Sequence, residues 1–454
     1  MALPAEIHTQ DLPFNGSWNF TAEMSVPRLD YTATLLNDGR VLVVGPFTVV
    51  AEIYDPVSGA FSPAGNTIAS HGQGPTATLL NDGRVLITGG TSSQKSAEIF
   101  DPETDIFSLT DSMNMAHSYH TATLLPDGRV LIVAGQERPG PQTHDVAELY
   151  DPITGTFSLT DGLREDRSGH TATLLSNGEV LVAGGTQTTI PGFGIALSAT
   201  ELYDPVTETF RSSRNMSRQR STHTATLLQN GLVLMAGGSS DNSVELYDPQ
   251  SGAFLHTGSM TIPLRGSHTA TLLTSGQVLI AGGYGANFTV TGSAEFYKPE
   301  TGTFAAIESM MAPRQQHTAT LLLDGSVLVA GGSDGSRATN TAELFIPESI
   351  TRVEESYARD VLKDIIMSQN YPNPFNRSTL ISFKIIKQYK VELTVFSLSG
   401  RPIVNLVDGR QNPGNYTVEW DGRNNTGQPV PGGLYLYRLK AGPFSETRKM
   451  ILLR

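Results

Sequence analysis

The 454-residue chain carries 31 Lys and Arg against 44 Asp and Glu and has no cysteine, which excludes disulfides, thiolate metal sites and cysteine nucleophiles together. Residues 1–359 hold 18 basic against 37 acidic side chains, a net −19, and residues 360–454 hold 13 against 7, a net +6. So acidic a body repels polyphosphate, which argues against nucleic acid as a partner, and no apolar run reaches membrane-spanning length.

In chain order, MALPAEIHTQDLPFNG lacks the basic start and apolar middle of a secretory signal. From Thr32 the pentapeptide TATLL recurs, beginning again at Thr76, Thr121, Thr171, Thr224, Thr269 and Thr318, at spacings of 44 to 53 residues. A period near 45 belongs to propeller repeats, in which one small sheet cannot bury its faces alone. Each copy predicts four strands. TATLL leads through turns such as NDGR or SNGE into a VLVAGG-type strand, then a Glu-x-Tyr-Asp-Pro strand beginning at Glu52, Glu98, Glu148, Glu201, Glu245, Glu295 or Glu343. A short fourth strand centres on Phe61, Phe107, Phe157, Phe210, Phe254 or Phe304. Small residues in the first strand and large ones in the last suit wedge-shaped blades around an axis.

The last copy lacks its aromatic fourth strand. Trp18 precedes Thr32 by 14 residues, and the phenylalanines precede the next TATLL by 14 or 15. The N-terminal SWNFTAEM is therefore expected to complete the last blade and remove the open sheet edges.

His-Thr-Ala-Thr, the double glycine, Glu-x-Tyr-Asp-Pro and the late aromatic together resemble the bacterial kelch repeat of galactose oxidase-like propellers. The resemblance covers residues 17–347 and implies a seven-bladed β-propeller; two blades depart from the double glycine, at Gly45 and Gly135. The oxidase relatives use a copper site with a tyrosine cross-linked to cysteine, which a chain without cysteine cannot form. No cofactor or metal is expected.

Residues 348–367 read as a linker. Val353, Tyr357, Val361 and Ile365 stand four apart within it, the spacing of a short amphipathic helix. From 368 to 454, alternating apolar and polar residues between Gly and Asn turns predict a small antiparallel sandwich. Its pieces YPNPFN, LSGRPI, WDGRNNTG, GLYLYRL and RKMILLR resemble the Ig-like C-terminal sorting domain of type IX secretion cargo. That resemblance implies the secretion machinery as a partner and the extracellular space or outer-membrane surface of a Gram-negative bacterium as the destination.

Loop length varies mostly between the second and third strands, which marks one face as the binding surface. Its long loops, 136–147, 186–200 and 284–294, offer Phe193, Tyr284 and Phe288 for stacking on a ligand, or for covering the loops themselves. Four residues before TATLL stand Arg28, Arg167, Arg220, Arg265 and Arg314, with Gly72 and His117 at the same phase. They are candidates for an anion-binding ring or for bonds to neighbouring blades. His120, His170, His223, His268 and His317 directly precede TATLL, with Tyr31 and Pro75 elsewhere; structural hydrogen bonding suits them better than metal ligation. The seven third-strand glutamates are expected to be buried and paired. The leading functional expectation is a noncatalytic propeller that binds carbohydrate or protein at the cell surface. The alternatives are a secreted glycan-active enzyme with its site at the axial mouth, or a subunit of an extracellular assembly. An asymmetric cluster of carboxylates or histidines at that mouth marks the enzyme.

Overall fold

Each repeat folds as one antiparallel sheet with its strands in chain order, as in Thr32–Leu35, Val41–Val44, Val50–Asp55 and Ala60–Asn66. The computed structural model describes residues 16–348 and 365–452, apart from 47, 92–94, 138–141, 191, 192, 368, 369, 371, 372, 374, 376, 377, 386, 398–400, 413 and 443. The chain divides into two compact units, 1–348 and 349–454. Among the described residues of the first, seven four-stranded sheets form, and their TATL strands touch one another in a closed circle. This is a β-propeller.

The turn chemistry is local. Gly39, at φ +91°, donates its N–H to the Leu36 carbonyl and closes the hairpin between the first two strands, and Gly83, Gly128, Gly178, Gly231, Gly276 and Gly325 repeat that left-handed position. The second strands are wholly buried, whereas the TATL strands are half-buried because one flank faces the axis.

The closing strand is Gly16–Phe20, which pairs antiparallel with Ala342–Pro347 and sets Trp18 opposite Phe345. Their rings pack at 4.9 Å between centroids, as Tyr54 does on Phe61 and Tyr297 on Phe304. Trp18 thus occupies the fourth-strand aromatic position. Its indole N–H also donates to the Glu308 carbonyl at 2.8 Å.

The histidine and the double glycine, 31 to 39 residues apart in sequence at Gly89–His120, Gly184–His223, Gly237–His268 and Gly282–His317, meet between blades. The Nε2 atoms of His120, His170, His223, His268 and His317 sit 2.9–3.1 Å from the hydroxyls of Thr76, Thr121, Thr171, Thr224 and Thr269 in the preceding blade. Tyr31 joins Thr318 in the same way across the seam between the last blade and the first. Pro75 cannot, and the Thr32 hydroxyl it faces is buried without a partner among the described residues. The imidazole lies directly against the first glycine of the pair: a Cβ on Gly237 would stand 2.5 Å from His268 Cε1 and 2.5 Å from the Arg265 carbonyl. Gly237→Ala is therefore expected to cost about 1–2 kcal/mol for a left-handed Ala at φ +72° and about 1–3 kcal/mol more for overpacking. The urea midpoint should fall at unchanged slope.

In the second unit the strands Ile365–Met367, Thr379–Ile385 and Gly414–Trp420 form one sheet, and Pro402–Gln411, Tyr389–Ser397, Gly433–Ala441 and Phe444–Leu452 form another. The two sheets share a core that includes Ile381, Phe383, Val395, Trp420 and Tyr437. The helix expected in the linker lies outside the described residues except at its end, where Ile365 belongs to a strand instead. Of YPNPFN, Asn373 and Phe375 are described, and Phe375 packs edge-on against Trp420.

Candidate functional site

The loop from strand two to three and the connection entering strand one emerge on the same face, where the first strands begin. Two residues before each TATLL, the backbone is left-handed in every blade: Asp30, Gly74, Tyr119, Gly169, Thr222, Ser267 and Gln316 have φ between 49° and 69°. That conformation is natural for glycine and strained for Thr222, a β-branched residue. The seven positions form a ring. Gly74 N–H donates to the Asp30 carbonyl, Tyr119 to Gly74, Gly169 to Tyr119, Ser267 to Thr222, Gln316 to Ser267 and Asp30 to Gln316, at 3.0–3.3 Å.

The side chains of this ring break the sevenfold repetition of the blades. Asp30 is its single carboxylate, and the other positions carry two glycines, two hydroxyl residues, a tyrosine and a glutamine. Gln316 Nε2 donates to Asp30 Oδ2 at 2.9 Å, and Tyr119 also hydrogen-bonds the carboxyl. Burial raises the Asp30 pKa, these two hydrogen bonds lower it, and the balance leaves it pushed up to about 6. A carboxyl poised there gives up or takes a proton near neutral pH.

The long loops rise around the ring. Val130–Glu137 and Gln142–Asp151 extend beyond the blade as a hairpin, and Thr186–Ile190 with Phe193–Ala196 forms a separate two-stranded ribbon. Asp166 joins them, accepting from Thr143 and from Gln187. On the third loop, Tyr284 reaches the ring itself, its hydroxyl 3.1 Å from that of Thr222. Phe288 packs on Tyr284 at 5.2 Å. Phe288 is 78% exposed and Phe193 74%.

The arginines lie elsewhere. Arg28, Arg167, Arg220, Arg265 and Arg314 are fully buried and paired with Glu52, Glu201, Glu245, Glu295 and Glu343 at 2.7–3.5 Å. A guanidinium so enclosed cannot meet a ligand, which corrects the anion-ring reading of these five residues. Each glutamate also accepts backbone N–H groups of the entering loop, as Glu343 does from Met311 and Ala312. In the two blades without arginine at this phase, histidine replaces it: His117 pairs with Glu148, and His71, one residue before Gly72, pairs with Glu98.

No protein-family model matches the sequence, and no curated protein resembles it closely enough to be a relative. Among solved structures, a fungal alcohol oxidase of the AA5 family, in complex with copper, is similar over 97% of this chain and 100% of its own, with a TM-score of 0.66 and 16% identity. A structure of the protein YjhT covers 61% of this chain and 97% of its own, with a TM-score of 0.50 and 13% identity. At such identities the likeness is one of fold, and the fold is the kelch-like β-propeller of the AA5 oxidase. It also corrects the expectation of a noncatalytic binding propeller, because the neighbour that shares nearly the whole chain is an enzyme. Copper does not fit the residues present here. There is no cysteine, no three His, Asp or Glu side chains among the described residues converge on a point, and five histidines are committed to threonines between blades. Among the described residues no helix is long and apolar enough to cross a membrane.

Proposed function

We propose that the chain is a secreted enzyme that transforms a carbohydrate by proton transfer at Asp30, in the axial mouth of a seven-bladed kelch-type propeller. The observation that carries this reading is the one carboxyl in a ring of neutral hydrogen-bonding groups, held near pKa 6 by burial against its bonds to Gln316 and Tyr119. Hydroxyls and an amide around that carboxyl suit a polyhydroxylated substrate. Two-carboxylate hydrolysis needs a partner about 5–9 Å away, and the ring supplies none. Single-group acid–base chemistry, such as elimination or isomerisation, fits better. Asp30 serves as the base above about pH 6 and as the acid below it, while Gln316 and Tyr119 fix its orientation.

The test is a panel of neutral and uronate-containing glycans, with products followed by mass spectrometry and NMR. Asp30→Asn is expected to lower turnover by about 10²–10⁴-fold, and the wild-type rate should show a limb near pH 6. A variant as active as the wild type ends this reading, as does a wild type inert on every glycan.

Residues 368–454 are read as an Ig-like type IX sorting domain, supported by YPNPFN, LSGRPI, WDGRNNTG, GLYLYRL and RKMILLR standing in order along it. Deleting them should hold the chain in the periplasm of a bacterium that has this secretion system, and export without them would refute the assignment.

A further inference from the structure

Asn287 and Phe288 are consecutive non-glycine residues in the left-handed region, at φ 57° and 55°. Such a backbone is unfavourable for an aromatic and persists only where the surrounding structure imposes it. Here it holds the Phe288 ring in solvent rather than on the core. Beneath it, Tyr284 is fixed by its hydroxyl contact with Thr222 and by isolated bridges to Gly266 and Val290. Gly266 makes room for it: a Cβ there would meet the Tyr284 hydroxyl oxygen at 2.4 Å. The strained, exposed phenylalanine thus stands on a firm support at the edge of the ring.

Thr222, where that support touches the ring, is three steps from Asp30 around a circle of seven and so lies nearly opposite. Seven neighbours spaced like adjacent strands, about 4.8 Å apart, make a circle roughly 10 Å across. One sugar at Asp30 does not span that gap.

We propose that Phe288, carried by Tyr284, is a stacking subsite for a second sugar, so that the substrate is an oligosaccharide of at least two units laid across the mouth. The flat apolar face of a pyranose packs on an aromatic ring while its hydroxyls stay available to Thr222 and Ser267. This rests on the reading of Asp30 as the reacting group.

The test is calorimetric titration of Asp30→Asn protein with cello-, xylo- and manno-oligosaccharides of one to four units, which reads binding without turnover. In at least one series, affinity should rise at least tenfold from one unit to two. Phe288→Ala should remove that gain and leave monosaccharide binding unchanged, and Phe288→Trp should keep it. A length dependence that survives Phe288→Ala, or no binding in any series, overturns the subsite. If the length gain appears while Asp30→Asn turns over glycans like the wild type, the stacking subsite stands and only the catalytic reading falls. Loss of turnover in Asp30→Asn without any length gain has the opposite meaning.

Discussion

Arg314→Met should destabilise the propeller by about 3–5 kcal/mol, the usual cost of leaving one charge of a buried pair alone. Arg314 is wholly enclosed. Its guanidinium donates to Glu343 at 2.7 Å and to the carbonyls of Gly331 and Thr341 at 2.9 Å each. Without it, the Glu343 carboxylate keeps its N–H donors from Met311 and Ala312 but faces an apolar side chain, and two buried carbonyls lose a partner. Chemical denaturation should show the loss as a lower midpoint. The double variant Arg314→Met with Glu343→Leu should recover most of it, because removing both charges removes the desolvation burden as well. If the single variant is as stable as the wild type, the arginine–glutamate clamps do not hold the blades.

Acidification should unfold the propeller from below about pH 6.5, and the interblade histidines set the direction. Burial and the neighbouring arginine, Arg220 or Arg314, push His223 and His317 down to about 3, and burial holds His120, His170 and His268 well below the usual range. Their Nδ1 atoms are buried without hydrogen-bond partners among the described residues, so the folded state holds the rings neutral. The unfolded chain takes up protons near 6.5, so between that value and the folded pKa it binds more protons and stability falls with pH. At pH 5, His223 and His317 each contribute a loss of about 2 kcal/mol. Asp30 acts oppositely, since its folded pKa is the raised one, but it is one group against five. Melting temperature should drop steeply between pH 6.5 and 4.5, and His223→Gln should flatten the slope by about one proton. A flat profile over that range would show that these imidazoles are not buried neutral.

The fold was legible because a blade repeats its physics. TATLL, the turn glycine and the aromatic recur because each sheet needs the same inner edge, hairpin and outer closure, and Trp18 announced itself by standing at the spacing of the phenylalanines. The histidine pattern was legible for the same reason. Asp30 was not. The ring position reads Asp, Gly, Tyr, Gly, Thr, Ser, Gln down the chain, which looks like unconstrained loop, since what the seven share is a left-handed backbone rather than a side chain. Two glycines at one phase were the available sign of it. The arginines left an anion ring and structural bonds both open, because regular spacing shows that a residue is needed without showing which way it faces. Tyr284 and Phe288 were visible as aromatics in a long loop, but their place beside Thr222 depends on contacts 62 residues apart.

The sheet that ends the circle takes its outer strand from Gly16–Phe20 and its other three from Thr318 to Pro347. A nascent chain on the ribosome can build its earlier blades one at a time, but both terminal edges stay unpaired until residue 347 has emerged. A chain that ends before residue 347, or that lacks residues 16–20, therefore offers other polypeptides an open strand on which to add.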